Sequence, residues 1–133
     1  MANKKLVLAI DDEASICEFY EKSLPLLGYD VACAASAKNA RETIKIRKPD
    51  LILMDVMMPG EDGIGFTREL RSSTENSDIP IIVVSGLADA ATLNDALLFG
   101  AVDYIVKPVE LDLLKNKIER ALAAAESRKK QKP

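Results

Sequence analysis

The chain has 133 residues, of which 48% are hydrophobic and 29% charged, and its formal net charge is −3. This composition is typical of one globular domain, and no apolar run approaches the roughly 20 residues of a membrane-spanning helix. The acidic balance argues against a general nucleic-acid-binding surface, and the lack of a signal-peptide pattern predicts a cytoplasmic location. Because the sequence contains no histidine, Ser-His-Asp catalysis, Cys-His catalysis and histidine-ligated metals are excluded.

Five short apolar runs are predicted to be buried strands, since each is too short for a helix and is bounded by turn or polar residues. They cover Leu6–Ile10, Tyr29–Ala34, Leu51–Asp55, Ile79–Val84 and Val102–Val106. Nearly continuous apolar character is typical of strands in a parallel sheet that is covered on both faces.

Helices are predicted between the strands, where apolar residues recur every three or four positions. The first carries Ile16 near its start and ends at Gly28, and Pro25 is expected to bend or shorten its last turns. The second begins after the capping residue Ser36 and runs to about Lys48. Its predicted inward-facing residues are Ala37, Ala40, Ile44 and the stem of Arg47.

The other three helices follow in the same pattern. The third spans Ile64–Arg71, and the fourth runs from about Asp89 to Gly100. The fifth carries one apolar stripe, made of Leu111, Leu114, Ile118 and Leu122. The basic residues 127–133 are predicted to be a frayed C-terminal tail or the start of a linker, which leaves residues 1–126 as one domain.

Strict alternation of strands and helices predicts an α/β fold, a doubly wound five-stranded parallel sheet with helices on both faces. Ligands of such sheets bind beyond the carboxyl ends of the strands. Four of the five predicted strands end there in reactive side chains, namely Asp11, Asp12, Asp55, Ser85 and Lys107. A single Asp after a strand is commonly a turn residue, but the whole set together predicts a site.

Three carboxylates at one edge of a sheet call for a cation. Two carboxylates ~4 Å apart repel by about 4 kcal/mol at an effective dielectric of about 20, and Lys107 alone does not balance three. Oxygen ligands without His or Cys select hard ions, with Mg²⁺ favoured and Mn²⁺ and Ca²⁺ as alternatives. This arrangement predicts Asp55 as a nucleophile that forms an acyl phosphate, with Ser85 bonding the phosphate and Gly86 leaving room for it.

These residues resemble the receiver domain of two-component response regulators over essentially the whole chain. The resemblance rests on five motifs that occur in order and at compatible spacing. They are Asp11-Asp12, Met54-Asp55-Val56-Met57-Met58-Pro59 with Gly63, Ser85-Gly86, Gly100-Ala101-Val102-Asp103-Tyr104, and Lys107-Pro108. The implied fold is the CheY-like, flavodoxin-like (βα)5 fold with strand order 2-1-3-4-5.

The resemblance implies a division of roles around the acidic cluster. Asp55 is the implied phosphoacceptor, which takes its phosphoryl group from a histidine of a partner histidine kinase or phosphotransfer protein. Asp12, Asp55 and the backbone carbonyl of Met57 are the implied direct Mg²⁺ ligands, and Asp11 acts through water. The implied phosphate-pairing residue is Lys107.

Further implied features concern the switch. A cis bond to Pro108 would aim Lys107, and Ser85 and Tyr104 are the implied switch pair that reshapes the surface of the fourth helix, fifth strand and fifth helix. Val102 stands where many DNA-binding regulators carry an acid, which weakens the case for their salt-bridged dimer. The expected state is therefore a monomer or a phosphorylation-dependent dimer.

Three alternatives to a stand-alone bacterial phosphoacceptor stay open. The chain could be the receiver of a longer regulator with a DNA-binding or enzymatic output domain, rather than a protein that contacts its target directly. A Mg²⁺-dependent aspartyl phosphohydrolase also uses an Asp nucleophile, but Met57 stands where such enzymes usually carry a second acid. A receiver that has lost phosphorylation is the third. We expect no enzyme activity beyond self-phosphorylation from small donors and slow self-dephosphorylation, and no direct contact with membranes or nucleic acid.

Overall fold

A computed structural model describes residues 4–56, 62–86 and 90–131. The strands are β1 (Leu6–Ile10), β2 (Asp30–Ala34), β3 (Leu51–Asp55), β4 (Ile81–Ser85) and β5 (Asp103–Val106). The helices are α1 (Ala14–Leu26), α2 (Ala37–Ile46), α3 (Gly63–Ser72), α4 (Ala90–Leu98) and α5 (Leu111–Gln131). The strands form one parallel sheet in the order β2-β1-β3-β4-β5, which confirms the predicted fold class and strand order.

Each face of the sheet has its own core, because successive side chains of a strand point to opposite faces. Leu8 and Ile10 of β1 pack with side chains of α2 and α3. Val7 and Ala9 pack on the other face with side chains of α1 and α5. Every residue of β1, β3 and β4 is buried, as expected of central strands with helices on both sides.

The C-terminus of α1 shows how the chain tolerates a proline near a helix end. The helix ends at Leu26, one residue after Pro25, so the proline does not stop it. Gly28, at φ 96°, closes the helix, since its N–H donates to the Pro25 carbonyl at 3.1 Å and the Tyr29 N–H donates to the Leu24 carbonyl at 3.0 Å. This glycine-closed ending is the Schellman motif, and it uses the carbonyl that the proline retains.

Three predicted helix details are wrong. Helix α2 ends at Ile46 rather than near Lys48, and the Arg47 side chain is exposed and pairs with Asp30 at 3.1 Å instead of packing inward. The stripe of α5 begins one turn later than predicted, since Leu111 is 40% exposed while Leu114 and its neighbour one turn on, Ile118, are fully buried.

The basic segment predicted to be frayed from Ser127 onward is helical as far as Gln131. Alanine-rich sequence favours the helix there, and basic side chains interact favourably with the negative end of the helix dipole. The contact between Lys5 and Glu126 at 3.3 Å ties the same part of α5 to the start of the chain. The predicted division at residue 126 therefore lies inside α5.

Within the described ranges, none of the helices is both long and apolar enough to cross a lipid bilayer.

Candidate functional site

The carboxylates of Asp11, Asp12 and Asp55 meet beyond the carboxyl ends of the neighbouring strands β1 and β3. One oxygen from each carboxylate lies within 4.8 Å of the other two. The side chains differ in exposure, since Asp11 and Asp55 are 2% and 5% exposed whereas Asp12 is open to solvent. The site is therefore a shielded pocket with one acid at its mouth.

Backbone contacts fix Asp11 in this pocket. Its N–H donates to the Ala34 carbonyl at 3.0 Å, which extends the pairing of β1 with β2 by one residue. Its Oδ1 accepts from the Glu13 N–H at 2.9 Å, and its Oδ2 accepts from the Lys107 Nζ at 2.9 Å. Both carboxylate oxygens of Asp11 thus have partners before any ion arrives.

Lys107 reaches the pocket from the segment after β5. Its Nζ lies closest to Asp11, and it lies 3.7 Å from both the Asp55 Oδ2 and the Glu13 Oε1. Burial alone would lower the pKa of Lys107, but the hydrogen bond that Lys107 donates to Asp11 and the charges of Asp55, Asp11 and Glu13 outweigh it and raise the pKa above its ordinary value. Lys107 is accordingly a fixed cation in the pocket.

The backbone on either side of Lys107 is also fixed. The Lys107 N–H donates to the Ser85 carbonyl at 2.9 Å, which joins the ends of β5 and β4. The peptide bond between Lys107 and Pro108 is cis.

Ser85 ends β4 with its side chain buried, at 1% exposure. In the sheet Asp55 lies opposite Val84, so Ser85 is one position beyond Asp55 on the neighbouring strand. A Cβ added to Gly86 would meet no described atom within 4 Å, so close packing does not explain the glycine there.

Tyr104 lies on β5 opposite Val83 of β4. Because Ser85 follows Val83 by two residues on β4, the side chains of Tyr104 and Ser85 lie on the same face of the sheet. Its half-buried ring packs against a small apolar cluster that includes Val56 and Ala96. The ring therefore packs against a cluster that joins β4 and the residue after β3 to helix α4.

Two residues near the site were not assigned these contacts from the sequence. Glu13 is a third carboxylate near Lys107. The only indication of this in the sequence is that Glu13 directly follows Asp11 and Asp12. Gly63 donates its N–H to the Val56 carbonyl at 2.8 Å, and a Cβ on it would overlap the Asp55 carbonyl oxygen. The predicted ligand Met57 lies outside the described residues.

The fold and the site together define a class of protein. It is an open parallel α/β sheet whose carboxyl edge holds a buried carboxylate, two further acids, a fixed ammonium and a buried hydroxyl. Carboxylate oxygens are suited to hard divalent cations, and an ammonium is suited to a phosphate. The class is that of doubly wound α/β proteins whose site is suited to bind a divalent cation and a phosphoryl group.

The chain belongs to the response regulator receiver domain family, whose pattern it matches over residues 7–119. It is 41% identical over 125 residues to the probable transcriptional regulator ycf27 of Cyanophora paradoxa, covering 94% of this chain and 51% of that protein. It is 37% identical over 117 residues to the transcriptional regulatory protein ZraR of Escherichia coli O157:H7, covering 88% of this chain and 26% of that protein. These matches confirm the resemblance to receiver domains.

Solved structures of response regulators are also similar to this chain. A putative response regulator from Chloroflexus aurantiacus superposes with a TM-score of 0.86 at 30% identity, covering 91% of this chain and 99% of that one. A CheY-like receiver domain protein from Methanospirillum hungatei gives a TM-score of 0.87 at 28% identity, covering 95% of this chain and 99% of that one. By contrast, this chain spans about half the length of the ycf27 proteins, at 51% and 48%. The chain is thus a receiver domain, and receiver domains are phosphoacceptor signalling domains.

Proposed function

We propose that Asp55 is the residue that accepts the phosphoryl group, from a phosphohistidine of a partner histidine kinase or phosphotransfer protein. The observation that carries the proposal is the convergence of Asp11, Asp12, Asp55 and Lys107 on one pocket. Asp55 is the acid to which the resemblance to receiver domains assigns this role, and it is buried at the end of the central strand β3, 3.7 Å from the Lys107 Nζ.

In the proposed step a carboxylate oxygen of Asp55 attacks the phosphorus. An oxygen–phosphorus bond forms, the phosphorus–nitrogen bond of the donor histidine breaks, and the leaving imidazole nitrogen keeps the electron pair and takes a proton. Lys107 stays charged and offsets the negative charge that builds up on the phosphoryl oxygens. The burial of Asp55 restricts the access of water to the reacting atoms.

The acidic cluster fits a divalent cation. The three clustered carboxylate oxygens are hard donors, one lysine does not balance them, and receiver domains in general bind Mg²⁺. Asp12 and Asp55 would hold the ion directly, together with the carbonyl of Met57, and Asp11 would act through water. When bound, Mg²⁺ or its substitute Mn²⁺ neutralises charge on the transferring group.

Ser85 and Tyr104 are the proposed switch residues. Ser85 would hydrogen-bond a phosphoryl oxygen, and Tyr104, on the same face of the sheet, would turn toward the space that Ser85 leaves. The result would be a changed surface on α4, β5 and α5. We further propose that this surface acts on a protein target or on an output domain, since named relatives are transcriptional regulators longer than this chain.

The test is phosphorylation by a small donor. Wild-type protein incubated with acetyl phosphate and Mg²⁺ should gain one phosphoryl group by mass spectrometry, and Asp55→Asn should gain none, because an amide is not a nucleophile here. The matched control Asp95→Asn changes an exposed acid of α4 and should be phosphorylated normally. A phosphorylated Asp55→Asn would refute the assignment.

The competing phosphohydrolase reading predicts catalytic turnover of phosphate esters. We expect wild-type protein to release no phosphate from p-nitrophenyl phosphate beyond the amount that Asp55→Asn releases. Sustained release that Asp55→Asn abolishes would favour the hydrolase over the phosphoacceptor.

A further inference from the structure

Asp103, Tyr104 and Lys117 form a cluster beside the edge strand β5, outside the acidic pocket. The Lys117 Nζ of α5 donates to the Asp103 Oδ1 of β5 at 2.8 Å. The same Nζ lies 5.3 Å from the centre of the Tyr104 ring. The Tyr104 N–H also donates to the Asp103 Oδ1, at 2.8 Å. One carboxylate oxygen thus holds both the backbone of Tyr104 and an ammonium near its ring.

The cluster is partly shielded from solvent. The Lys117 and Asp103 side chains are 19% and 24% exposed, which is much less than the other described ion pairs outside the acidic pocket. Shielding strengthens a cation–ring contact, which an exposed lysine would make only weakly. The ion pair with Asp103 already restricts the Lys117 side chain, so contact with the ring costs little further conformational entropy.

The Tyr104 ring is held from two sides. Val83, Ala96 and Ala101 contribute the apolar side. Lys117 reaches it from α5, because β5 is an edge strand and the ring is open at that edge. A ring that turns toward Ser85 would leave the ammonium and give up this contact.

We propose that Lys117, held by Asp103, is a positioning residue that keeps the Tyr104 ring in the place seen here and so sets how readily the switch operates. This inference rests on the proposed role of Tyr104 in the phosphorylation response. Lys117 touches neither Asp55 nor the phosphoryl group and acts through the tyrosine. Removing its charge destabilises one position of the ring relative to the other, and a ligand that favours the turned ring then binds more tightly.

The test variant is Lys117→Met, which keeps the length and apolar stem of the side chain and removes the ammonium. The measured quantity is the affinity of beryllofluoride, a phosphoryl mimic, in the presence of Mg²⁺. A cation–ring contact of ordinary strength predicts about two- to fivefold tighter binding to Lys117→Met than to wild type. Lys117→Arg keeps a cation within reach of Asp103 and the ring, and should bind like wild type.

A double-mutant cycle separates the ring from the ion pair. In a Tyr104→Leu background Lys117→Met should no longer change beryllofluoride affinity, because the lysine acts through the ring. If the two- to fivefold effect persists in that background, it comes from Asp103 or from the fold, and the proposal is wrong. The proposal is also wrong if the single variant Lys117→Met binds beryllofluoride with the same affinity as wild type.

A second readout needs no phosphate mimic. Protein labelled with fluorotyrosine should show a shifted ¹⁹F resonance for Tyr104 in Lys117→Met, with the resonances of Tyr20 and Tyr29 unchanged. If wild-type protein does not bind beryllofluoride but Lys117→Met still shifts the Tyr104 resonance, the contact between Lys117 and the ring is supported and the phosphoacceptor role is refuted. If wild-type protein binds beryllofluoride but Lys117→Met leaves the Tyr104 resonance unshifted, the phosphoacceptor role is supported and the proposed role of Lys117 is refuted.

Discussion

Gly63 shows how one residue without a reactive side chain sets the position of the proposed phosphoacceptor. Its N–H bonds the Val56 carbonyl, and a Cβ would overlap the Asp55 carbonyl oxygen and approach the Met54 Cγ to 3.0 Å. The first turn of α3 thus lies directly on the backbone that carries Asp55. Only glycine allows this approach without moving one of the two segments.

Gly63→Ala should therefore destabilise the protein by about 1–3 kcal/mol, the range typical of overpacked sites, because backbone atoms cannot rotate away from the added methyl. Urea unfolding would measure the change. The matched control is Gly65→Ala in the same helix, where the added Cβ would come no closer than 3.4 Å to the Asp62 carboxylate. We expect the control to be neutral or slightly stabilising, and equal effects of the two variants would contradict this account.

The members of the acidic pocket could be predicted from the sequence, because each follows an apolar run that ends at the same edge of the sheet. What could not be predicted is how their atoms pair. Lys107 lies closer to Asp11 than to Asp55, and Glu13 also approaches it. Those contacts depend on side-chain conformations set by packing between segments far apart in the chain.

At the scale of elements, the bidentate contact between Arg41 and Glu69 joins α2 to α3 across their exposed faces, with both N–O distances at 2.7 Å. The hydrogen bond from Arg41 holds the pKa of Glu69 below its usual range, against a smaller opposing effect of burial. Because the folded pKa is depressed, the contact stabilises the protein above the ordinary carboxyl pKa, and its contribution disappears as the pH falls through the folded pKa.

Glu69→Gln should lower the free energy of unfolding at pH 7 by about 0.2–1 kcal/mol, the range for solvent-screened pairs, and by less in high salt. The difference from wild type should shrink as the pH falls below about 4.3. Urea unfolding at several pH values measures both effects. Among the described residues no ion pair reaches Glu75, so Glu75→Gln should show neither, and a pH-independent loss in Glu69→Gln would rule out the charge as its cause.

The elements themselves were predictable because apolar periodicity separates strands from helices, but their ends were not. Strand β4 begins at Ile81, two residues later than the apolar run that starts at Ile79, since Pro80 has no N–H to give to a sheet. Helix α5 passes through residues whose charge pattern looked like a tail. Local composition does not reveal whether such residues lie against the body of the protein.

At the scale of the whole molecule, cation binding and folding should be linked. An ion that binds the acidic cluster of the folded chain stabilises it, by about 2.7 kcal/mol at a concentration 100 times the dissociation constant. We expect the melting temperature to rise with MgCl₂ and to rise much less in Asp12→Asn, which changes an exposed acid of the cluster. Asp95→Asn should keep the full rise.

Sodium chloride at matched ionic strength separates ion binding from screening. It should not reproduce the rise in melting temperature with wild-type protein. A rise of equal size with sodium, or an undiminished rise in Asp12→Asn, would show that the cluster does not bind the divalent ion.

The hydrogen bond between Lys107 and Asp11 joins residues 96 positions apart. During synthesis the acids of β1 and β3 emerge long before the lysine that balances them, so a partial chain holds only an unbalanced acidic surface. The pocket exists only once β5 has been added at the edge of the sheet. A truncation before Lys107 therefore removes the balancing charge of the pocket as well as a length of chain, so the charge of the site depends on residues from nearly the whole sequence.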